Sequence, residues 1–431
     1  MPTREARPLA HPARRAGALA AGALSGLTSL VALPAAAESH PFYIGVSETV
    51  SHDNNLLRLA DGQQANTGYT RGDTTMSTAF LAGIDQPFGR QRANANLSLR
   101  DVRYSTNSQF NNQGYTGSMG LDWSTAERIS GSLSANANRS LSSFNNYQVG
   151  LLADKNYEDT QGLNALVSVG LVTQYSLELS AGHRAVSNTL DNPALQSRNF
   201  KQDTGGFALR WRPSGISSLA LGVHETRGRY PKFSFINGQY QADRFKQTTV
   251  DLTGSLVPRG ASTVDFRIGQ SQTRYDLNSA RNYSGLTGTL GWNWQATGRF
   301  KLATRLSRDT GQDSYATTVF GNVPGSSDYS RLVNSFRVDG NYDYSAKIAI
   351  TASWQLARRT VVQTIVNPLL PLNASGKDST NSYAIGVRWA PLRTVTLGCD
   401  ATREQRSASG DLTTPLHSTG LSCFGQLQFQ P

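Results

Sequence analysis

Basic side chains recur at strand-like spacing along this chain of 431 residues, and they are the groups best suited to act on a solute. Each lies next to an apolar residue, so in an extended segment the bases and the apolar residues fall on opposite faces. We call the face that carries the bases the polar phase of a strand. The bases in the polar phase are Arg92, Arg100, Arg210, Arg212, Arg267, Lys301, Arg305, Arg337 and Arg388. The carboxylates in the polar phase are Asp122, Glu178, Asp251, Asp265, Asp339, Asp343 and Asp400. Cross-strand ion pairing and selection of anions are both open for these bases.

Catalytic groups are scarce in the sequence. Of the six histidines, only His224 shares the polar phase, and no nucleophile motif or metal-ligand cluster accompanies it. Gly285, Gly288 and Gly291 are not a nucleotide loop, because they lie inside an alternating strand rather than between a strand and a helix. We therefore expect no enzyme activity, no cofactor and no metal.

The two cysteines share one face of the last two predicted strands. Cys399 and Cys423 lie at similar distances from the loop between those strands, so they can be opposite each other. In an oxidising compartment this arrangement predicts a cross-strand disulfide. The alternative is a pair of free thiols on the lipid-facing side.

Positioning these residues requires strands with two different faces. The segment from Tyr115 to Trp123 alternates apolar residues with small or polar ones, and the same two-residue period recurs along nearly the whole chain. The recurrence predicts about 18 strands of roughly 9 to 11 residues each, or about 16 as the alternative. The predicted fold is all-β, a transmembrane antiparallel β-barrel, whereas a soluble sandwich would also alternate.

The N-terminal composition predicts export from the cytoplasm. Residues 1–37 resemble a Sec signal peptide, with a basic start, an Ala/Leu/Gly stretch and the small residues Ala35, Ala36 and Ala37. We expect residues 38–431 to form a single outer-membrane barrel domain, since no shift of composition divides them. After residue 37 no run of about 18 apolar residues appears, and the mean hydropathy is −0.40, so we expect no transmembrane helix. Strands that alternate apolar and polar residues escape this test.

Tryptophans and turns predict the orientation in the membrane. Short Pro- or Gly-marked turns alternate with long segments, among them 229–244 and 359–380, as expected for the periplasmic turns and extracellular loops of bacterial barrels. The tryptophans predicted to form an aromatic girdle next to the short turns are Trp123, Trp211, Trp292, Trp294 and Trp389. Trp354 ends a strand next to a long loop and marks the outer interface. Shifting each strand by one residue would turn Arg100 or Arg210 toward lipid, which excludes that register.

One predicted loop is unusually apolar. Residues 361–372 carry Val, Ile and Leu residues interrupted by Pro368 and Pro371. The segment either folds into the mouth as a gate, or extends the strands above the membrane and packs on neighbouring loops.

Four short runs resemble the EpsL-type outer-membrane proteins associated with exopolysaccharide biosynthesis and exosortase systems. These are Asp53-Asn54-Asn55-Leu56-Leu57-Arg58, Gly291-Trp292-Asn293-Trp294 with Thr297-Gly298-Arg299, Tyr342-Asp343-Tyr344-Ser345-Ala346-Lys347, and Cys423-Phe424-Gly425-Gln426-Leu427. The resemblance implies a role in export of an extracellular polysaccharide, and it implies no catalytic residues.

The expected function is an outer-membrane channel through which a polysaccharide leaves a Gram-negative cell. A porin for small solutes and a structural barrel whose loops bind partners are the alternatives. The formal charge of +11 favours an anionic polymer or lipopolysaccharide over nucleic acid, or simply reflects solvated loops. The expected partners are outer-membrane lipid and lipopolysaccharide, the polysaccharide, and a periplasmic export component; no nucleic acid is expected.

Overall fold

The computed structural model describes most of the chain after the predicted signal peptide. It covers residues 41–430 except 127, 143–144, 147–149, 152–154, 173, 237–238, 260, 278–280, 311–329, 366–371 and 411–413. The predicted signal peptide, residues 1–37, lies outside the described residues.

Eighteen strands form one sheet that closes on itself. The barrel strands are β1 (Phe42–Asp53), β2 (Asp73–Phe88), β3 (Gln91–Tyr104), β4 (Asn112–Ser124), β5 (Ile129–Leu141), β8 (Tyr157–Val172), β9 (Tyr175–Asn188), β10 (Phe200–Ser214), β11 (Ser217–Ile236), β12 (Gln239–Arg259), β13 (Ser262–Tyr275), β14 (Tyr283–Gln295), β15 (Phe300–Asp309), β16 (Ser330–Asp343), β17 (Ile348–Ile365), β18 (Leu372–Leu392), β19 (Val395–Gly410) and β20 (Leu416–Phe429). The strands β6 (Asn145–Asn146) and β7 (Gly150–Leu151) form a separate hairpin between β5 and β8. A 3-10 turn (Ser108–Phe110) and a short helix α1 (Pro193–Gln196) lie in two of the loops.

Every barrel strand pairs antiparallel with its neighbours, and the first strand pairs with the last. Val46 of β1 lies opposite Leu427 of β20, and Val50 lies opposite Cys423. Closure leaves no strand edge without a partner, which is the condition for crossing a hydrocarbon layer with strands. The predicted all-β antiparallel barrel of 18 strands is confirmed.

The apolar residues of the repeat face outward and the polar residues face the lumen. In β4, Met119 is 63% exposed on the outer face, and the outer faces of neighbouring strands carry Leu97 and Leu133. The buried side chains of the barrel wall are instead mostly polar. This inverted distribution arises because lipid, not a protein core, covers the apolar face.

Two predicted loops are largely strand in the structure. Segments 229–244 and 359–380 were expected to be loops, yet β11, β12, β17 and β18 continue through most of their residues as paired hairpins. Pairing satisfies backbone hydrogen bonds above the membrane as well as within it, so strands need not end where the apolar pattern ends. Residues 361–365 and 372 belong to such a hairpin, and 366–371 lie outside the described residues.

Small apolar clusters lie beneath the extracellular loops. Leu57, Leu59, Phe110 and Leu141 form one cluster above β1 to β5. Val186, Phe200, Tyr230, Phe245 and Tyr275 form a second above β9 to β13. Among the described residues, no helix has the length and apolarity needed to cross a membrane.

Candidate functional site

The inner wall is built from glycines covered by polar side chains of the neighbouring strand. A Cβ added to Gly120 would lie 2.9 Å from the Asn94 amide oxygen, and one on Gly222 would lie 2.9 Å from an Asp251 oxygen. A Cβ at Gly206 would collide with the His224 ring. Because these side chains lie flat over glycines, they present polar atoms without projecting far into the lumen.

Hydroxyl groups extend this polar wall across several strands. The Thr249 and Ser271 hydroxyls are 2.9 Å apart, and Ser271 lies 2.9 Å from the Thr287 hydroxyl. Ser307 and Ser335 continue the pattern at 2.7 Å. Such ladders fix hydroxyl positions, and each hydroxyl can still exchange donor and acceptor roles.

Most of the predicted lumen bases are bound by polar partners. Arg210 forms a two-pronged pair with Glu178, with its Nη2 donating at 2.8 Å, and Arg212 Nη1 donates to the Ser176 hydroxyl at 2.8 Å. The remaining described pairs are Arg92 with Asp85, Arg267 with Asp309 at 3.1 Å, and Arg337 with Asp339 at 2.7 Å. Arg100 and Arg388 also have interaction partners. Of the two readings of the sequence, local ion pairing accounts for most of these residues.

Lys301 and Arg305 differ from the other bases. Both are exposed on the lumen side of β15, and no described carboxylate forms an ion pair with either. Arg305 lies opposite Arg337 of β16 in the strand register. Among the described residues, these two side chains therefore place positive charge on the wall that no ion pair holds.

Water access to the wall differs between the two ends of the barrel. Near the short turns, Asp122, Asn293 and Lys301 face inward and are exposed. Toward the long loops, Ser271 and Thr287 also face inward, yet they are only 1% and 3% exposed. Among the described residues, the lumen wall is therefore most open on the periplasmic side.

Among the described residues, His224 is the one histidine of the lumen wall, as its place in the alternating pattern predicts. Its Nε2 lies 3.4 Å from an Asp251 oxygen, and its ring covers Gly206. Within the part of the chain that the structure describes, no group of three or more His, Cys, Asp or Glu side chains is placed to hold a metal ion.

The cysteines and tryptophans lie on the outer surface. Cys399 and Cys423 are directly opposite each other in β19 and β20, with Cα atoms 4.0 Å apart, and form a disulfide. The tryptophans of the predicted girdle all face outward near the ends of strands that enter short turns: Trp123, Trp211, Trp292, Trp294 and Trp389. Trp292 and Trp294 stack with centroids 5.5 Å apart. Trp123 lies over Gly131.

The run that begins at Asp53 has a structural role at the barrel seam. Asp53 forms an ion pair with Arg58 at 2.8 Å and accepts a hydrogen bond from Ser418 Oγ at 2.8 Å. The Asn54 side chain accepts from the Thr419 backbone N–H at 2.8 Å, and Leu57 is fully buried. The run thus fastens the first extracellular loop to the closing strand β20.

Sequence reasoning missed an ionisable residue within the apolar belt of the lipid-facing side. Glu48 shares the outward phase of Val46 and Val50, and its Oε2 accepts a hydrogen bond from Thr78 Oγ1 at 2.7 Å. Its Oε1 is buried without a hydrogen-bond partner among the described residues. The signal was present, because an ionisable residue at an apolar phase stands out against its neighbours.

Comparison with known proteins yields similarity in structure only. No family model matches the chain, and no curated protein matches it. Pseudomonas aeruginosa OccK2 (OpdF) is 12% identical with a TM-score of 0.49, covering 90% of this chain and 98% of that chain. P. aeruginosa OpdK, solved with vanillate, is 12% identical with a TM-score of 0.45, covering 90% and 99%. The FrpB iron transporter from Neisseria meningitidis is 11% identical with a TM-score of 0.45, covering 85% and 62%.

The closed barrel, the outward apolar faces and the girdle together define an outer-membrane β-barrel protein of a Gram-negative bacterium. A barrel of this strand number is wide enough to enclose an aqueous channel.

Proposed function

We propose that this barrel is an outer-membrane channel that takes part in export of an extracellular polysaccharide. The observation that carries the proposal is the lumen wall of covered glycines with accessible amides and hydroxyls on the periplasmic side. Asn94 over Gly120 and the exposed Ser118 are examples. A sliding polymer requires many weak hydrogen-bonding positions rather than one tight site, because tight binding would stop its movement.

Paired charges along the wall support the same function. Arg210 with Glu178 and Arg267 with Asp309 leave little net charge at those positions. A wall of compensated charges binds neither acidic nor basic sugars strongly, which suits passage of a long chain. The resemblance of the Asp53 to Arg58 run to EpsL-type proteins also favours export, although that run itself acts at the seam.

Conductance with oligosaccharides tests this proposal. The barrel folded into planar bilayers should conduct, and oligosaccharides added to one chamber should interrupt the current for times that lengthen with chain length. Ser118→Trp should lower the conductance, because Ser118 faces the lumen and is exposed. Met119→Trp, one residue away on the lipid side, is the matched control and should leave conductance unchanged. Current that oligosaccharides never interrupt would contradict the proposal.

A porin for small anionic solutes is the second candidate, and Lys301 and Arg305 favour it. Both bases are exposed in the lumen without a described carboxylate partner. Under this alternative, the reversal potential in a salt gradient shows anion preference, and Lys301→Gln with Arg305→Gln abolishes it. Interruption by oligosaccharides that persists in this double variant would favour export over the porin function.

A further inference from the structure

The outer wall carries a dense basic patch just above its apolar belt. The basic patch consists of Lys201, Arg227, Arg229, Arg244, Lys246 and Arg274, all of which are exposed. They belong to the four adjacent strands β10 to β13.

The strand register places these side chains in two rows on the lipid-facing side. In the upper row, Lys201 lies opposite Arg229, and Arg229 lies opposite Arg244. In the lower row, Arg227 lies opposite Lys246, which lies opposite Arg274. Neighbouring strands are about 4.8 Å apart, so adjacent charges lie within reach of one multivalent anion.

The upper row has little compensating charge. Glu225 holds the lower-row bases Arg227 and Lys246, at 2.6 Å and 2.8 Å. Asp203, the carboxylate beside Arg227, instead contacts His183 at 2.7 Å.

Three arginines of the patch remain available for an external anion. Within the described residues, no carboxylate forms an ion pair with Arg229 or Arg244 of the upper row, or with Arg274 at the end of the lower row. Asp276, at the end of the upper row, contacts Arg244 through the backbone, its N–H donating to the Arg244 carbonyl at 2.9 Å. Like charges at this distance repel one another, and a bound anion would reduce the repulsion.

The patch lies at the depth of a lipid headgroup. Below Arg227 and Lys246 the same outward phase continues through Val223 and Val250 to Leu221, all of which are exposed to lipid. The long loops lie above the patch, so it faces the outer leaflet. A ligand that fits has anionic groups at the interface and acyl chains against the apolar belt.

Elsewhere around the rim, basic residues are sparser or paired. Arg103 forms an ion pair with Asp101 at 2.7 Å, and Arg139 forms one with Asp159 at 2.7 Å. Arg403 faces outward at the same border without another base opposite it, since Thr419 and Tyr383 flank it. The concentration of charge on β10 to β13 is therefore a local feature and not a general property of the rim.

We propose that the basic patch binds the phosphate groups of lipopolysaccharide in the outer leaflet. Guanidinium groups bind phosphate through two parallel hydrogen bonds. Arg229 and Arg244 lie opposite each other in the upper row, and Arg274 of the lower row lies diagonal to Arg244, so three guanidinium groups are close together. The acyl chains of the same molecule lie against Val223 and Leu221. This inference rests on the outer-membrane location and is independent of what passes through the lumen.

Retention of lipid A by the folded barrel tests the patch. Barrels are placed in nanodiscs containing diphosphoryl lipid A or monophosphoryl lipid A, then washed, and the retained lipid A is quantified by mass spectrometry. The triple variant Arg229→Gln, Arg244→Gln, Arg274→Gln should weaken diphosphoryl lipid A binding about 100-fold. Arg403→Gln is the matched control and should weaken it only slightly.

Two further arms separate the outcomes. Inorganic phosphate should not displace the lipid, and displacement would show a free-phosphate site and overturn the lipid assignment. Equal retention of both lipid A forms by the wild-type barrel would also overturn it. Arg→Lys at the same three positions guards against misfolding, because it keeps the charge and should restore most of the binding. Channel conductance of the triple variant should match that of the wild type. The lipopolysaccharide proposal and the channel proposal are therefore tested independently.

Discussion

At the scale of single residues, Glu48 departs most from the physical pattern of the barrel. Its carboxylate faces the lipid between Val46 and Val50, held only by the Thr78 hydroxyl among the described residues. Glu48→Val should stabilise the barrel by about 1–2 kcal/mol, because it returns an apolar side chain to the belt. Guanidinium unfolding in lipid vesicles measures this.

A substitution of the hydrogen-bond partner of Glu48 provides the control for Glu48→Val. Thr78→Val removes the hydrogen bond but keeps the carboxylate, so it should destabilise the barrel. If Glu48→Val also destabilised it, the carboxylate would have a favourable role that lipid exposure alone does not provide.

Asp243 predicts a pH dependence above the membrane. It is fully buried, and burial raises the pKa of its carboxyl, while Leu277 N–H donates to Oδ1 at 2.9 Å. A raised pKa in the folded state means that ionisation costs stability. This local stability is therefore greatest below the ordinary carboxyl value of 3.8 and is lost as pH rises through the folded pKa.

Amide exchange around Leu277 checks this dependence. After correction for intrinsic rates, protection in the wild type should increase as pH falls from neutral toward the ordinary carboxyl pKa. Asp243→Asn should show high protection throughout, because it stays neutral and keeps an acceptor for the Leu277 N–H. Protection that fell on acidification in the wild type would contradict the assignment.

At the scale of strands, the glycine positions set the thickness of the wall. Gly206 faces inward beneath His224 and Ser180, whereas Gly205 faces outward with nothing within 4 Å of an added Cβ. Gly206→Ala should destabilise β10 by about 1–3 kcal/mol, because the added methyl overpacks the wall. Gly205→Ala should be neutral or slightly stabilising. Unfolding curves that ranked the two variants equally would refute the role of covered glycines.

The disulfide connects the last two strands across 24 residues of chain. Replacing both Cys399 and Cys423 by Ser should cost about 2–4 kcal/mol, since the cross-link restricts the unfolded chain. Reduction of the wild-type protein should reproduce the loss, and reductant should have no effect on the variant. If the oxidised wild type, the reduced wild type and the double variant had the same unfolding midpoint, the bond would contribute nothing to stability.

At the scale of the whole molecule, the sequence predicts what depends on the two faces of a strand. The outward phase of Tyr115 to Trp123 identifies lipid-facing residues, and repetition of that phase identifies the strand number. Arg267 shows what sequence cannot supply, because it reaches Asp309 two strands away. Such a partner follows from barrel closure and shear, not from local spacing.

The apolar alternation of the sequence also did not predict how far the strands extend above the membrane. Residues 229–244 lose the apolar alternation, yet Arg229 and Arg244 pair within β11 and β12. Backbone pairing drives this extension, and it places Arg229 beside Arg244 on the outer wall. The basic patch was therefore invisible as a unit until the register was known.

The amount of polysaccharide outside the cell tests the central claim most directly. Deleting the gene in its native host should lower the secreted polymer strongly, and the wild-type gene should restore it, while Ser118→Trp restores it only in part. Secretion that is unchanged by the deletion would contradict export by this barrel.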